Sequence, residues 1–268
     1  MIFINRLYNL LKGSQKYPIS IELLCPKGRL IFEAFSPVEN FRIAQYGGEK
    51  DFVGRFTKSL IADDIVFDIG ASVGLITLHA AAFTHKGKVI AFEPDPETFQ
   101  RLKHNVSLNN FSNIKILPWA ISDRNGETTL FSNGASGFAP SLREKGDHRG
   151  APKGFAFRKR EEVITRTLDS SILSENLPLP TVLKIDIEGA EMKCLTGASK
   201  LLDGELGNKP RLIYIEVHPE FLPSFNSSPK EVQDFLFNNG YSVLLKYQRN
   251  DQIHYCYQYL KYSNNFKI

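Results

Sequence analysis

One short stretch constrains the fold more than any other: Ile65-Val66-Phe67-Asp68-Ile69-Gly70-Ala71-Ser72-Val73-Gly74, followed by residues 75–82 without a helix breaker. An apolar run bounded by glycines reads as a strand buried on both faces, which suits a parallel sheet covered by helices. The glycines predict a tight turn, and residues 75–82 predict the helix that leaves it. A second apolar run, residues 88–92, closes on Glu93-Pro94. A glycine turn after one strand and an acid at the end of the next suit a bound nucleoside. The backbone approaches the ligand at the glycines, and the carboxylate accepts hydrogen bonds from both ribose hydroxyls.

The alternation continues along the chain. Pro96 opens a predicted helix to about 109, and residues 114–117 start a third strand that reaches Ser122 and Asp123. Residues 127–131 and 163–168 read as two additional strands. Residues 181–186 read as a fourth core strand that turns through Ile187-Glu188-Gly189 into a helix ending near 203. Residues 211–218 form the fifth, a helix follows over 229–239, and residues 242–247 and 254–261 suggest a closing hairpin. This order predicts an α/β, Rossmann-like doubly wound sheet that is mostly parallel. A hairpin (19–24 with 29–35) and a helix over 40–60 make residues 1–60 a small N-terminal cap. The main domain then covers 61–262, with 263–268 a tail. At 268 residues and 42% hydrophobic content, one full core with an appendage fits better than two equal domains.

Residues 132–162 break the pattern, with seven Lys or Arg against four acids. A long loop after the third strand lies near the ligand-binding edge of such a sheet, and predicts a mobile lid over an acceptor. Its cations (Arg143, Lys145, Arg149, Lys153, Arg158, Lys159 and Arg160) hint weakly at an anionic one. At the very N-terminus, apolar residues interrupted by Asn5, Arg6 and Asn9 predict an amphipathic helix too short to span a bilayer.

The glycine spacing narrows the ligand. A dinucleotide turn needs Gly-x-Gly-x-x-Gly so that a pyrophosphate can sit on the helix N-terminus. Here the pattern is Asp68-x-Gly70-x-x-x-Gly74, and an acid before the first glycine repels a pyrophosphate but suits an ammonium group. S-adenosylmethionine, with a ribose, an adenine, a cationic sulfonium and an amino-acid end, is the better match. An NAD-dependent oxidoreductase and a non-catalytic nucleoside-binding module remain alternatives on the same fold. A second cluster, Lys184-Ile185-Asp186-Ile187-Glu188-Gly189-Ala190-Glu191, places acids at a strand end, and Glu216 and His218 close the next strand. If those strands are neighbours, their polar groups converge in one crevice.

Taken together, Asp68-x-Gly70-Ala71-Ser72-x-Gly74, Glu93-Pro94, Ala120-Ile121-Ser122-Asp123, Arg166-Thr167-Leu168-Asp169 and the Lys184–Glu191 string resemble the FkbM-type methyltransferases. Ser72 stands where many members carry Asn, and both side chains serve a turn. The resemblance implies a class I S-adenosylmethionine-dependent fold, with seven strands and an antiparallel last one, and O-methylation of a saccharide or specialised metabolite. It further implies that Asp68, Gly70, Ala71, Ser72 and Gly74 hold the methionine portion, Glu93 the ribose, Ser122 and Asp123 the adenine. Asp186 would lie beside the methionine amino group and the acceptor.

Methyl transfer needs alignment above all, with a base to take the hydroxyl proton. His218 is the first choice as base because its ordinary pKa lies near neutrality, and Asp186 or Glu188 could serve instead. Asp186, Glu216 and His218 could also hold a divalent cation such as Mg²⁺, although a metal-free reaction is preferred. A formal net charge of +4 without a basic face, and no Pro-Pro-Tyr-like motif after Asp186, argue against a nucleic-acid partner. Cys25, Cys194 and Cys256 are few and far apart, which fits a reduced, cytoplasmic setting without a structural metal.

Overall fold

A computed structural model describes residues 16–132, 140–142 and 159–262. The expected N-terminal amphipathic helix, most of the expected lid and the tail lie outside the described residues. In chain order the strands and helices are β1 (Ile19–Cys25), β2 (Gly28–Ala34), α1 (Pro37–Ala44), α2 (Lys50–Ser59), β3 (Ile65–Ile69), α3 (Leu75–Phe83), β4 (Lys88–Phe92), α4 (Pro96–Ser107), β5 (Ile114–Leu117) and β6 (Ala120–Ile121). Then follow β7 (Gly126–Ser132), β8 (Lys159–Arg166), α5 (Leu168–Ser174), β9 (Val182–Ile185), α6 (Glu191–Thr196), α7 (Ser199–Asp203), β10 (Leu212–Val217), α8 (Pro229–Asn238), β11 (Tyr241–Arg249) and β12 (Gln252–Tyr259).

Seven strands form the main sheet in the order β11-β12-β10-β9-β3-β4-β5. The pairs among β10, β9, β3, β4 and β5 are parallel, and β12 runs antiparallel to both β10 and β11. The expected α/β doubly wound sheet with an antiparallel last strand is what forms. From β3 the chain winds out to β5, then returns to β9 on the other side. The reversal opens a crevice at the carboxyl ends of β3 and β9, where ligands bind in such sheets.

Alternation explains the double burial. Phe67, Ile90, Leu183 and Ile213 face one side with Leu168, Leu195 and Leu236, whereas Val66, Val89, Val182 and Leu212 face the other. On that second side α2 lays Phe52, Val53 and Phe56 onto the sheet, and both phenyl rings meet Tyr214 edge-on at 5.8 and 5.2 Å. Each buried ring contributes about 1.5–3 kcal/mol, so the cap is part of the core's cover. The hairpin β1–β2 adds Leu30 and Phe32 against Leu78 of α3.

Three boundaries differ from the sequence reading. The single cap helix expected over 40–60 is two, parted by a turn in which Gly47 and Gly48 take positive φ. The third strand breaks at Pro118, which has no N–H to give the ladder; β6 instead joins β7 and β8 in a separate three-stranded sheet. The helix expected to end near 203 is split into α6 and α7 around Gly197, where a Cβ would lie 2.0 Å from the Ser122 carbonyl oxygen.

Candidate active site

The turn after β3 is built by contact rather than by flexibility. Gly70 has φ +83°, and a Cβ there would stand 2.0 Å from the Asp186 carbonyl oxygen. The backbone of the glycine turn is thus seated on the backbone that follows β9. Ser72 also takes a left-handed φ of 51°, held because its N–H donates to Glu93 Oε2 at 2.8 Å. The other Glu93 oxygen accepts from the Asp95 N–H at 3.0 Å. One carboxylate therefore clips the glycine turn to the start of α4. Burial pushes this carboxyl up to about 7, against the pull of the two N–H donors.

A pocket opens over this crevice. Of the residues singled out in the sequence, Gly70, Ser72, Glu93, Asp186 and Glu188 line it. Ile69, Phe92, Trp119, Ile121 and Leu142 give it apolar walls, and Arg42 of α1 reaches its rim. Ala71 and Gly74 shape the turn behind it: Ala71 takes the Phe92 carbonyl at 3.0 Å, and Gly74 precedes α3 with φ +95°. Pro140 and Leu142, from the stretch expected to form a lid, also line the pocket; Ser141 exchanges backbone hydrogen bonds with Phe131 and donates its hydroxyl to Glu188 O at 3.3 Å.

Asp68 departs from expectation. It lies wholly buried beneath the turn, outside the pocket lining, with Oδ2 accepting from the Thr77 hydroxyl at 2.6 Å. Its Oδ1 faces Lys184 Nζ at 3.4 Å, so the ammonium it meets belongs to the protein. Lys184 Nζ also stands 3.5 Å from Asp186 Oδ2 and donates to Gly70 O at 3.2 Å. Burial pulls this lysine down, but Asp186 and Asp68 outweigh it and hold the pKa above the ordinary range. The same attraction, against the upward push of burial, holds Asp186 below the usual carboxylate value.

Ser122 and Asp123, expected beside adenine, line an adjoining polar groove instead of the pocket that Glu93 enters. Asp123 accepts from Ser122 Oγ at 3.0 Å and from Lys193 Nζ at 3.3 Å. The immediately preceding Ala120 and Ile121 are the ones that face the pocket, because β6 ends there.

His218 also sits behind the pocket rather than in its lining, and is 2% exposed. Its Nδ1–H donates to Glu191 Oε1 at 2.7 Å, while Nε2 faces Glu188 Oε2 at 3.5 Å and Glu216 Oε1 at 3.6 Å. Burial alone would lower its pKa, but Glu188 and Glu191 lift it well above the ordinary value. Burial raises Glu188 in turn, with His218 opposing. Glu188 has φ +52°, a strained conformation for a side chain with Cβ, and such strain gathers at working sites.

The cation trio expected at Asp186, Glu216 and His218 is distributed differently. Asp186 and His218 come together with Glu188, and Glu216 comes together with Glu49 and His254. The reason is register: β12 inserts beside β10 and sets His254 directly across from Glu216. Sequence reasoning missed Arg42, Glu49, Trp119 and His254. Trp119 alone carried a signal, as the single tryptophan of the chain at a strand end.

A family model described as the methyltransferase FkbM domain matches residues 68–243. The chain belongs to the FkbM methyltransferase family. As an FkbM methyltransferase domain it is similar to the hexuronic acid methyltransferase AglP of Haloferax volcanii, at 29% identity over 188 residues and 70% of each chain. It is also similar to the 2-O-methyltransferase NoeI of Sinorhizobium fredii, at 27% identity over 160 residues, 58% of this chain and 63% of that one. A solved structure of the FkbM methyltransferase from Methylobacillus flagellatus KT aligns with a TM-score of 0.50 at 17% identity, covering 82% of this chain. The FkbM domain described here spans 52% of that solved chain, and the likeness bears on fold alone. Among the described residues no helix is long and apolar enough to cross a membrane.

Proposed function

We propose that this FkbM domain transfers a methyl group from S-adenosylmethionine to a hydroxyl of a saccharide. The observation that carries the reading is Glu93: a buried carboxylate at the pocket edge, opposite a glycine turn, with each oxygen already oriented by a backbone N–H. That geometry suits a ribose diol, and the walls of Phe92, Trp119 and Ile121 suit an adenine. The methionine end fits on the pocket face of the Gly70 turn, next to Asp186, a lining acid held below the usual carboxylate value. When bound, S-adenosylmethionine supplies a methyl carbon already activated by the sulfonium, which leaves with the C–S electron pair on sulfur. The chain's own task is to align the acceptor oxygen with that methyl carbon, exclude water and take the hydroxyl proton. Glu188 is the group placed to take it, because it lines the pocket while both His218 nitrogens face carboxylates behind it. His218 acts as the charged post that positions Glu188. No step requires a metal.

A saccharide acceptor is favoured by the two relatives whose names specify a hexuronic acid and a 2-O-methyl transfer. Arg42 at the pocket rim offers a cation to a uronate carboxylate. The deciding experiment incubates the protein with labelled S-adenosylmethionine and matched uronic-acid and neutral saccharides, and looks for the species that gains a methyl group. Transfer to neither, with intact cofactor binding, defeats the saccharide reading.

Glu93 gives a pH test of the cofactor site. Its folded pKa is raised from an ordinary 4.5 to about 7, so the folded apo protein favours the neutral acid. The stability this contributes is full below 4.5 and lost as pH climbs through about 7. A ribose diol instead favours the ionised form. Calorimetric affinity for S-adenosylhomocysteine is therefore expected to rise with pH across about 6 to 8. Glu93→Gln is expected to weaken binding about 10- to 100-fold at the upper end, as loss of hydrogen bonds to a charged acceptor does, and to flatten the pH dependence. A variant that keeps the wild-type slope excludes this role.

A further inference from the structure

Beside the pocket, where the cap meets the last strands, three side chains face one another without hydrogen bonding. Glu216 of β10 and His254 of β12 are cross-strand partners, so both project from the same face of the sheet. Tyr247 of β11 is paired with His254 on the other side, and its ring stacks on the imidazole at 4.7 Å with 1° between planes. Phe52 of α2 meets the same ring at 5.2 Å. Two aromatic neighbours thus fix the imidazole, with Nδ1 3.8 Å from Glu216 Oε2. His254 is 1% exposed, and neither ring nitrogen has a hydrogen-bond partner among the described residues. An imidazole always carries an N–H or a lone pair on each nitrogen, so two orphaned nitrogens in the core are costly.

Glu49 completes the group from the cap. Arg249 binds Glu49 Oε1 and the Gly47 carbonyl, which holds the turn between α1 and α2 over the end of β10 and β12. One ligand atom each from Glu49, Glu216 and His254 then lies within 4.8 Å of the others. Ligands about 2.0–2.2 Å from one ion stand roughly 3–4.4 Å apart, so the group closes on an ion by drawing in about an ångström at most.

We propose that Glu49, Glu216 and His254 bind a divalent transition-metal ion that ties the N-terminal cap to the sheet beside the acceptor end of the pocket. One imidazole with two carboxylates selects Zn²⁺ or Mn²⁺ over Ca²⁺ or Mg²⁺, which favour oxygen alone. The ion supplies the partner that His254 lacks. It also fixes Glu216, whose other oxygen faces His218, and so connects the cap to the row of groups behind Glu188. Its role is to position, separate from the methyl-transfer reading: the site can exist whatever the acceptor proves to be.

The test uses the full chain stripped with chelator, titrated with Zn²⁺ by calorimetry and with Mn²⁺ by electron paramagnetic resonance. One ion per chain and a melting temperature raised by several degrees are expected. His254→Phe keeps a ring between Tyr247 and Phe52, and Glu49→Gln alters one cap side chain at constant size. Each is expected to weaken ion binding at least about 10-fold. A far-ultraviolet circular dichroism spectrum matching the wild type confirms that the variants are folded. Wild-type protein that takes up neither ion overturns the proposal. So does undiminished binding in both variants, or binding that Glu188→Gln abolishes while Glu49→Gln leaves it intact, which places the ion at the neighbouring Asp186, Glu188 and His218.

Discussion

Lys184→Met is expected to destabilise the protein by about 3–5 kcal/mol, the usual cost of breaking a buried ion pair from one side. The lysine is 5% exposed and stands between Asp68, which is fully buried, and Asp186. Methionine matches the length of the stem but leaves Asp68, among the described residues, with the Thr77 hydroxyl as its one hydrogen-bond partner. Because the folded pKa of Lys184 is raised, its contribution is fully present below the ordinary lysine value of 10.5 and is lost only as pH rises above it. The deficit should therefore be constant across the neutral range. Urea midpoints at pH 6 and 8 measure this. Adding Asp68→Asn to Lys184→Met is expected to restore much of the loss, since it removes the stranded charge. An unchanged midpoint in the single variant, or no recovery in the double, contradicts the ion-pair account.

The second large effect is kinetic. Glu188→Gln is expected to lower turnover about 10²- to 10⁴-fold, the range for losing a general base, while affinity for S-adenosylhomocysteine stays within a few-fold. The amide preserves size and the contact made through the Glu188 carbonyl by Ser141, so the fold is undisturbed. His218→Gln is expected to be milder, and to shift the pH profile of turnover rather than abolish it, because it acts through Glu188. Single-turnover rates and calorimetry separate the two variants. Equal losses of turnover and cofactor affinity at Glu188 would assign it to binding instead.

The parts of this architecture that could be read from the chain are those governed by local pattern. Apolar runs closing on Gly70, Glu93 and Asp186 announce buried parallel strands with polar carboxyl ends, and the pocket is assembled from those ends. What escaped depends on tertiary placement. Asp68 looks like a ligand residue from its position before a glycine; only the insertion of Lys184 from the adjacent strand shows that its charge is already matched. Ser122 and Asp123 fall outside the Glu93 pocket because β6 ends at Ile121, and the residues beyond it line the adjoining groove. Glu49 and His254 meet Glu216 only because the second strand of the terminal hairpin, not the first, inserts beside β10. Hairpin periodicity carries no information about that choice.

The seating of Gly70 on the Asp186 carbonyl has a practical consequence for redesign. The half of the cleft built from the Gly70 turn, Glu93 and Asp186 is one casting, because Ser72 is tied to Glu93 and Gly70 sits on the Asp186 backbone. The rim is different, since Arg42 arrives from the cap and Leu142 from a separate excursion of the chain. Libraries aimed at new acceptors should leave the casting alone and diversify those two borrowed edges.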